Sequence, residues 1–441
     1  MSIPADSSVR ATTAAGVDTV AATVPDVDGE LMLRRLADIN AFGAAPGPGI
    51  TRTGLSAEEV AAREFLATTC EQDGLVTHTD QAGNLIVRRR NADPARPVVL
   101  LGSHLDTVVN GGRLDGMYGV IAACEVLRAL ATADLPCEPV AVAFTNEEGA
   151  AFPYPFFGSL GLVGGVNTAE ADTMTDPSGR SLRDALLAAG GDLDAVHDAA
   201  WPAGSIACYL ELHIEQGPLL ESRKVPVGVV EAITGRTIVD ITINGAQGHA
   251  GTTPMQLRRD AMVVAARVVL AVERLSATLD LCAVSTVGVI SAHPNVTNVI
   301  PGTVRLTAEL RDGDPARLLA AEDRLVTELL QLGVATDVGI DVTTRPITQP
   351  VRTSDAACRA IAAAADDLSL AHLTMFSGAG HDAQIVAAVA PIGMILVPSR
   401  DGLSHAPAEH TDDEHLVTGA RTLLRTVLAL PAELYDRAGS R

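Results

Sequence analysis

The stretch "PVVLLGSHLDTVVNGGRLDGMYGVIAACEVLRALATADLPCEPVAVAFTNEEG", residues 97–149, decides the fold. It opens on "PVVLLGSH", an apolar run of strand length. It closes on a second such run, Val140 to Phe144. Between them, "GVIAACEVLRALATA" reads as a helix. Strands that are apolar at nearly every position, interleaved with helices, indicate an α/β sheet covered on both faces. The end of the second run is unusual. Buried strands usually stop in turn residues, yet this one runs into Glu147, Glu148 and then Gly149. Adjacent carboxylates repel, and each raises the pKa of the other unless a positive charge lies nearby.

Outward from this unit the alternation continues. "SAEEVAAREFLATTCEQDG" begins at Ser56 with Glu59 three positions on, a capping box, and stops near Gly74. "NLIVRRR" reads as a strand. After "YLELHIEQGPLLESRKVP" the texture changes. "GRTIVDITINGAQGHAG" alternates like a half-exposed strand, and "RDAMVVAARVVLAVERLSA" reads as a helix. "AVSTVGVISA" and "TVRLTAELRD" are strands, and "DPARLLAAEDRLVTELLQLG" is a second helix. That order defines a small two-layer α/β module, expected over residues 229–344. "SDAACRAIAAAADDLSL" and "GMILVPS" then resume the first pattern. The chain therefore divides into residues 29–228 with 345–441 as one domain, interrupted by the inserted module.

The 441 residues exceed one ordinary core, which agrees with two domains. The formal charge of -22 argues against nucleic acid or an anionic membrane as partner. Lys224 is the only lysine, so an anionic substrate would need a locally placed arginine. Six cysteines are scattered with no CxxC pair, which argues against a cysteine metal site and a disulfide framework. They read as buried free thiols in a reducing cytosol, and a cytoplasmic location is expected. Residues 1–28 are rich in Ala, Thr and Asp without an unbroken apolar stretch. This segment reads as a disordered leader rather than a signal peptide. No apolar run is long enough to span a bilayer.

Four polar clusters each follow an apolar strand. In "GSHLDTVVNGGRLDGMYG", His104 and Asp106 are two apart and point the same way in extended backbone. That suits a ligand histidine with a carboxylate orienting its ring. Asp115 follows after a glycine-rich turn. The second cluster is Glu147–Glu148. The third is "ELHIEQGP", with His213, Glu215 and Gln216, and the fourth is "GLSHAPAEH", with His405. Singly, a histidine near a strand end is most often a satisfied core or surface residue. Four imidazole- and carboxylate-rich clusters at strand ends suit one or two divalent metals of the zinc type. Two metals about 3.5–4 Å apart need a bridging carboxylate, and Asp115 is the best candidate.

At this point the sequence resembles a known family. "GSHLDT", "GGRLDG", "TNEEG", "HIEQGP", "GHAGTTPM", "SGAGHDA" and "SHAPAE" look like the M20 metallopeptidase-type amidohydrolases. More narrowly they resemble the branch of N-carbamoyl-L-amino acid hydrolases, β-ureidopropionases and allantoate amidohydrolases. The match runs from about residue 49 to about residue 409. The resemblance implies a large dinuclear-metal catalytic domain with a mixed, helix-covered sheet. It also implies that the inserted module is a lid and dimerisation domain, hence a homodimer.

By the same resemblance, His104, Asp115 and His213 hold one metal, and Asp115, Glu148 and His405 hold the other. Zinc is the expected ion, and manganese, cobalt and nickel also suit such ligands. The cations would make the glutamate pair tolerable: Glu148 as ligand and Glu147 as general base. Asp106 would fix the ring of His104. His249, from the inserted module of the same or the partner subunit, would support the oxyanion. Gln216, Asn298, Arg311 and Gly380 would contact substrate, with Arg311 clamping a carboxylate. The alternative for Arg311 is a pair with a neighbouring Asp at a strand end. His381 and Asp382 are read as structural to their loop. The chain departs from the family pattern at Ala151, where relatives carry arginine, and at Asp312, where they carry histidine. The implied reaction is hydrolysis of the ureido C–N bond of an N-carbamoyl-L-amino acid. Allantoate and N-carbamoyl-β-alanine remain alternatives, as do acyl-amino acids and dipeptides on the same fold.

Overall fold

The computed structural model describes residues 25–44 and 47–438. The leader expected over residues 1–28 lies outside the described residues up to residue 24. The quoted stretch forms strand Val98–His104, helix Met117–Ala129 and strand Glu138–Phe144. These strands lie at the heart of a nine-stranded sheet among the described residues. Val98–His104 runs parallel to Glu138–Phe144 on one side and to Ile206–Ile214 on the other. Ile206–Ile214 in turn runs parallel to Ile392–Val397. Antiparallel strands flank this centre, Leu85–Arg89 and Leu75–Thr79 at one edge and Val227–Ile233 at the other. The sheet is therefore mixed. Its four central parallel strands all end on the same side, which is where open α/β sheets place their sites.

Both faces are covered, as the apolar strands require. Helices Gly29–Ile39, Met117–Ala129, Asp355–Asp367 and Asp413–Ala429 bury one face. Phe157–Leu162 and Asp382–Val386 contribute to the core on the other. Local signals are legible in these helices. Ser56 Oγ accepts the Glu59 amide and caps Ala57–Gln72, a contact worth about 1 kcal/mol. The capping box is only half formed, because the buried Glu59 carboxylate accepts from Leu55 N instead of the Ser56 amide.

The small module is a four-stranded antiparallel sheet. Its order is Gly339–Thr348, Gly235–Asn244, Thr303–Asp312 and Val284–His293. Helices Ala261–Ala277 and Pro315–Thr336 pack on one face around their own core. Its sheet starts later and ends later than the 229–344 expected from the texture of the sequence. Val227–Ile233 is buried nearly throughout and pairs within the large sheet, whereas Gly235–Asn244 alternates. Only Thr234 separates the two strands, so the change of sheet falls at a single residue. Five of the six cysteines are buried and the sixth, Cys358, is partly so; all are free thiols.

Candidate metal centre

The four polar clusters converge at the carboxyl ends of the central strands. His104 is the last residue of Val98–His104, and His213 sits near the end of Ile206–Ile214. Glu147 and Glu148 follow Phe144, and His405 follows Val397. Asp115, at the mouth of helix Met117–Ala129, lies among them. Its Oδ1 is 3.5 Å from His104 Nε2 and 3.1 Å from His213 Nε2. Its Oδ2 is 3.0 Å from His405 Nε2, which in turn lies 3.3 Å from Glu148 Oε1. Each Asp115 oxygen thus faces a different set of imidazoles.

Burial and charge set the protonation of these groups. Burial opposes charge on Asp115, yet hydrogen bonds from His104, His213 and His405 hold its carboxyl well below the usual range. Burial also disfavours charge on His104 and His213. The carboxylates around them, Glu147 and Asp115 for His104 and Asp115 for His213, outweigh it and raise both. Hydrogen bonds to Asp115 and Glu148 raise His405 to about 10. Glu147 is buried, and its pKa stands well above the carboxylate range because of that burial, with Asp382, Glu148 and Asp106 adding to it. Buried carboxylates facing three imidazoles, His104 and His213 buried and His405 exposed, are the electrostatic signature of a cation site.

The donor set fits divalent ions. Atoms of His104, Asp115 and His213 lie within 4.8 Å of one another, as do those of Asp115, Glu148 and His405. The two groups share Asp115 and could hold two cations through one bridging carboxylate. A third grouping, Glu211, His213 and His381, is also close. It does not fit, because Glu211 already accepts from Ser103 Oγ at 2.7 Å and from Ala383 N at 3.0 Å. His381 is bound to Ser377 Oγ at 2.7 Å, and burial keeps it neutral, with a pKa well below normal.

Several supports hold the cluster in place. Gly116 has φ +67, and a β-carbon there would lie 2.4 Å from the His104 ring, so only glycine fits beneath the imidazole. Asn146, Gln216 and His405 all adopt positive φ, the kind of backbone strain that gathers at functional sites. Glu409 accepts the Leu114 and Asp115 amides and the Ser404 hydroxyl. Arg52 is fully buried and donates from Nε to Leu105 O at 2.9 Å, tying down the loop after His104. Nothing in "GITRTGLS" marked this arginine, although a charged residue seldom goes fully inside without such a task.

The Asp106 carboxylate makes no hydrogen bond to the His104 ring. The ring Nδ1 bonds the backbone carbonyl of Asp106 at 3.0 Å, while Asp106 Oδ1 is 3.8 Å away. The carboxylate instead accepts the amides of Glu147 at 3.0 Å and Glu148 at 3.2 Å. It therefore pins the backbone of the glutamate pair. Glu215 also lies outside the cluster chemistry, since its carboxylate caps the amides of Leu219 and Leu220.

Gln216 joins the site directly. Its Nε2 donates to Asp115 Oδ2 at 2.9 Å and to Ser404 Oγ at 3.2 Å. A carboxylate can only accept, so the amide nitrogen must face it, and Oε1 turns away, buried and without a partner among the described residues. His249 and Asn298 are neighbours on the inserted module: strand Gly248–His249 pairs with Val299–Ile300, and Ala250 N bonds Asn298 O. No hydrogen bond or ion pair joins either side chain to the cluster among the described residues. His249 is exposed, and its Nδ1 accepts from Gly251 N. Arg311 pairs with Glu309 at 2.6 Å, not with an aspartate, and its Nη1 donates to Gly378 O in the loop that carries Gly380.

A strand-end cluster of three imidazoles and shared carboxylates defines a metal-dependent hydrolase. The family model described as "Peptidase family M20/M25/M40" matches residues 100–429, and the chain belongs to that family. It is 39% identical over 414 residues to an N-carbamoyl-L-amino acid amidohydrolase of Geobacillus stearothermophilus, covering 92% of this chain and 99% of that one. It is 37% identical over 388 residues to the allantoate amidohydrolase of Escherichia coli, covering 87% and 94%. A hydantoinase/carbamoylase family amidase from Burkholderia multivorans superposes with a TM-score of 0.85 at 32% identity, over 94% and 98% of the two chains. The protein is an amidohydrolase acting on carbon–nitrogen bonds other than peptide bonds. None of the described helices is long and apolar enough to cross a membrane.

Proposed function

We propose that the protein hydrolyses the ureido C–N bond of an N-carbamoyl-L-amino acid, giving the amino acid, CO2 and ammonia. The observation that carries this reading is Gln216, whose side-chain amide lies against the shared Asp115 carboxylate beside the proposed metal ligands. A ureido group offers an N–H where an acetyl group offers only a methyl. A site lined by polar groups that bind a ureido N–H discriminates against the acyl analogue that lacks it. The relatives that carry the N-carbamoyl-L-amino acid name support the same reading.

Each site residue has a role in this reading. His104, Asp115 and His213 would hold one divalent cation, and Asp115, Glu148 and His405 a second, with zinc the ion the donor set favours. When bound, such cations polarise the carbonyl and acidify water. Glu147 takes the proton of the attacking water and returns it to the departing nitrogen, a role suited to a buried carboxylate beside His104 that belongs to neither proposed ligand set. Arg311 binds the substrate carboxylate, exchanging Gly378 O for it. Gly380 lets the loop backbone approach the substrate. His249 and Asn298 reach the site from the inserted module, in the same subunit or across a homodimer. Sedimentation of the purified protein tests the dimer.

The test of the reaction is a matched pair. N-carbamoyl-L-leucine should outrun N-acetyl-L-leucine in kcat/KM by at least about a hundredfold. A preference for the acetyl compound would move the protein to the aminoacylase side.

A further inference from the structure

Phe156 is a bulky residue in a left-handed conformation, φ 61 and ψ 22, at the start of helix Phe157–Leu162. Glycine or asparagine adopts that geometry readily, whereas an aromatic side chain there is strained. Such strain persists only where the surroundings impose it or function uses the side chain. Packing gives no account of it. The ring is half-buried and belongs to none of the hydrophobic cores, although its neighbours Phe152, Tyr154 and Phe157 form one together.

Its position is defined by the site. Phe156 N donates to the carbonyl of Glu147 at 2.9 Å, so the residue is anchored to the backbone of the proposed base. On its other side, a β-carbon built on Gly380 would lie 3.2 Å from Phe156 Cζ. The ring thus spans the gap between the loop after Glu148 and the loop at 377–381. The ring therefore lies between the backbone of the proposed base and the loop whose Gly378 carbonyl Arg311 touches.

We propose that Phe156 is a specificity-determining residue, the apolar wall against which the substrate's α-side chain packs. The inference rests on the ureido-acid reading above and deepens it. The favoured substrates are N-carbamoyl-amino acids with aliphatic or aromatic side chains. Allantoate, with a second polar ureido group at that position, is disfavoured, since burying that group against a ring costs its hydrogen bonds to water.

The test compares wild type with Phe156→Ala, Phe156→Leu and Phe156→Gly on N-carbamoyl-L-leucine and N-carbamoylglycine, with the N-acetyl pair in parallel. In wild type the leucine compound is preferred over the glycine compound. In Phe156→Ala the ratio of kcat/KM values for leucine over glycine falls about tenfold or more, the scale of a lost apolar contact. Phe156→Leu keeps most of the ratio. Phe156→Gly loses it while melting no lower than wild type, because glycine relieves the left-handed strain. An unchanged ratio, or equal loss on both substrates with a lowered Tm, overturns the proposal in favour of a structural role. Turnover of the acetyl pair alone would overturn the ureido reading, and the leucine-to-glycine ratio on that pair would then decide the wall independently.

Discussion

Replacing Glu147 by glutamine tests the division of labour within the glutamate pair. The change is nearly isosteric and keeps the backbone that Asp106 holds through the Glu147 and Glu148 amides. It removes the one function proposed for the side chain, which is to accept a proton. General acid–base catalysis contributes roughly 10²–10⁴-fold, or about 3–5 kcal/mol of barrier. kcat for ammonia release should fall by that factor. Metal content by atomic emission should stay near two ions per subunit, because neither proposed ligand set includes Glu147. A second readout follows from its electrostatics. Its folded-state pKa is raised, so the folded protein binds more protons than the unfolded chain above the ordinary carboxylate range. The metal-free wild type therefore loses stability as pH rises through that window. Metal-free Glu147→Gln lacks the buried charge and should melt higher than wild type at alkaline pH. His104, Glu147 and Glu148 also lie close enough to share an ion. Loss of metal from the variant, or retention of near-normal turnover, would refute the general-base role.

Other predictions concern the surrounding groups. Arg311→Ala should raise KM for carboxylate substrates roughly ten- to hundredfold without metal loss; unchanged steady-state kinetics would leave Arg311 only its contacts to Glu309 and Gly378. Asp106→Asn puts an amide NH2 against one of two backbone N–H groups, costing about 1–3 kcal/mol. It should lower Tm and kcat together, and metal loss without a Tm change would instead restore the ring-orienting role. Because its hydrogen bonds to Asp115 and Glu148 raise His405 to about 10, His405 is protonated in the metal-free protein at neutral pH. Metal uptake then releases protons, and apparent affinity should climb roughly tenfold per pH unit for each proton displaced. Calorimetry in buffers of different ionisation enthalpy measures that release directly.

Much of this was legible in the sequence, for identifiable reasons. Fully apolar strands reveal themselves by composition, and polar residues at their ends stand out against them, so His104, Glu148, His213 and His405 could be read as converging. Asp115 was legible as well, because its glycine-rich turn marks a fold-back. What stayed hidden depends on distances across the chain. The task of Arg52 is set by a carbonyl 53 residues away. Glu211 sits inside a strand buried along its whole length, a polar residue where none is expected, yet only the structure shows Ser103 and Ala383 satisfying it. The role of Asp106 turned on which oxygen, backbone or side chain, meets the His104 ring, and residue spacing cannot distinguish them. Phe156 carries no sequence mark at all, since a left-handed backbone at an aromatic residue is a property of the folded loop.

The most direct test of the central claim is ammonia release by the metal-reconstituted protein. The substrates would be N-carbamoyl-L-amino acids, allantoate, N-carbamoyl-β-alanine, N-acetyl-amino acids and dipeptides. The expected result is ammonia from an N-carbamoyl-L-amino acid with an apolar side chain, faster than from allantoate, and loss of that activity on chelation. Free amino acid from acetyl or peptide substrates, with no ammonia from any ureido compound, would contradict it.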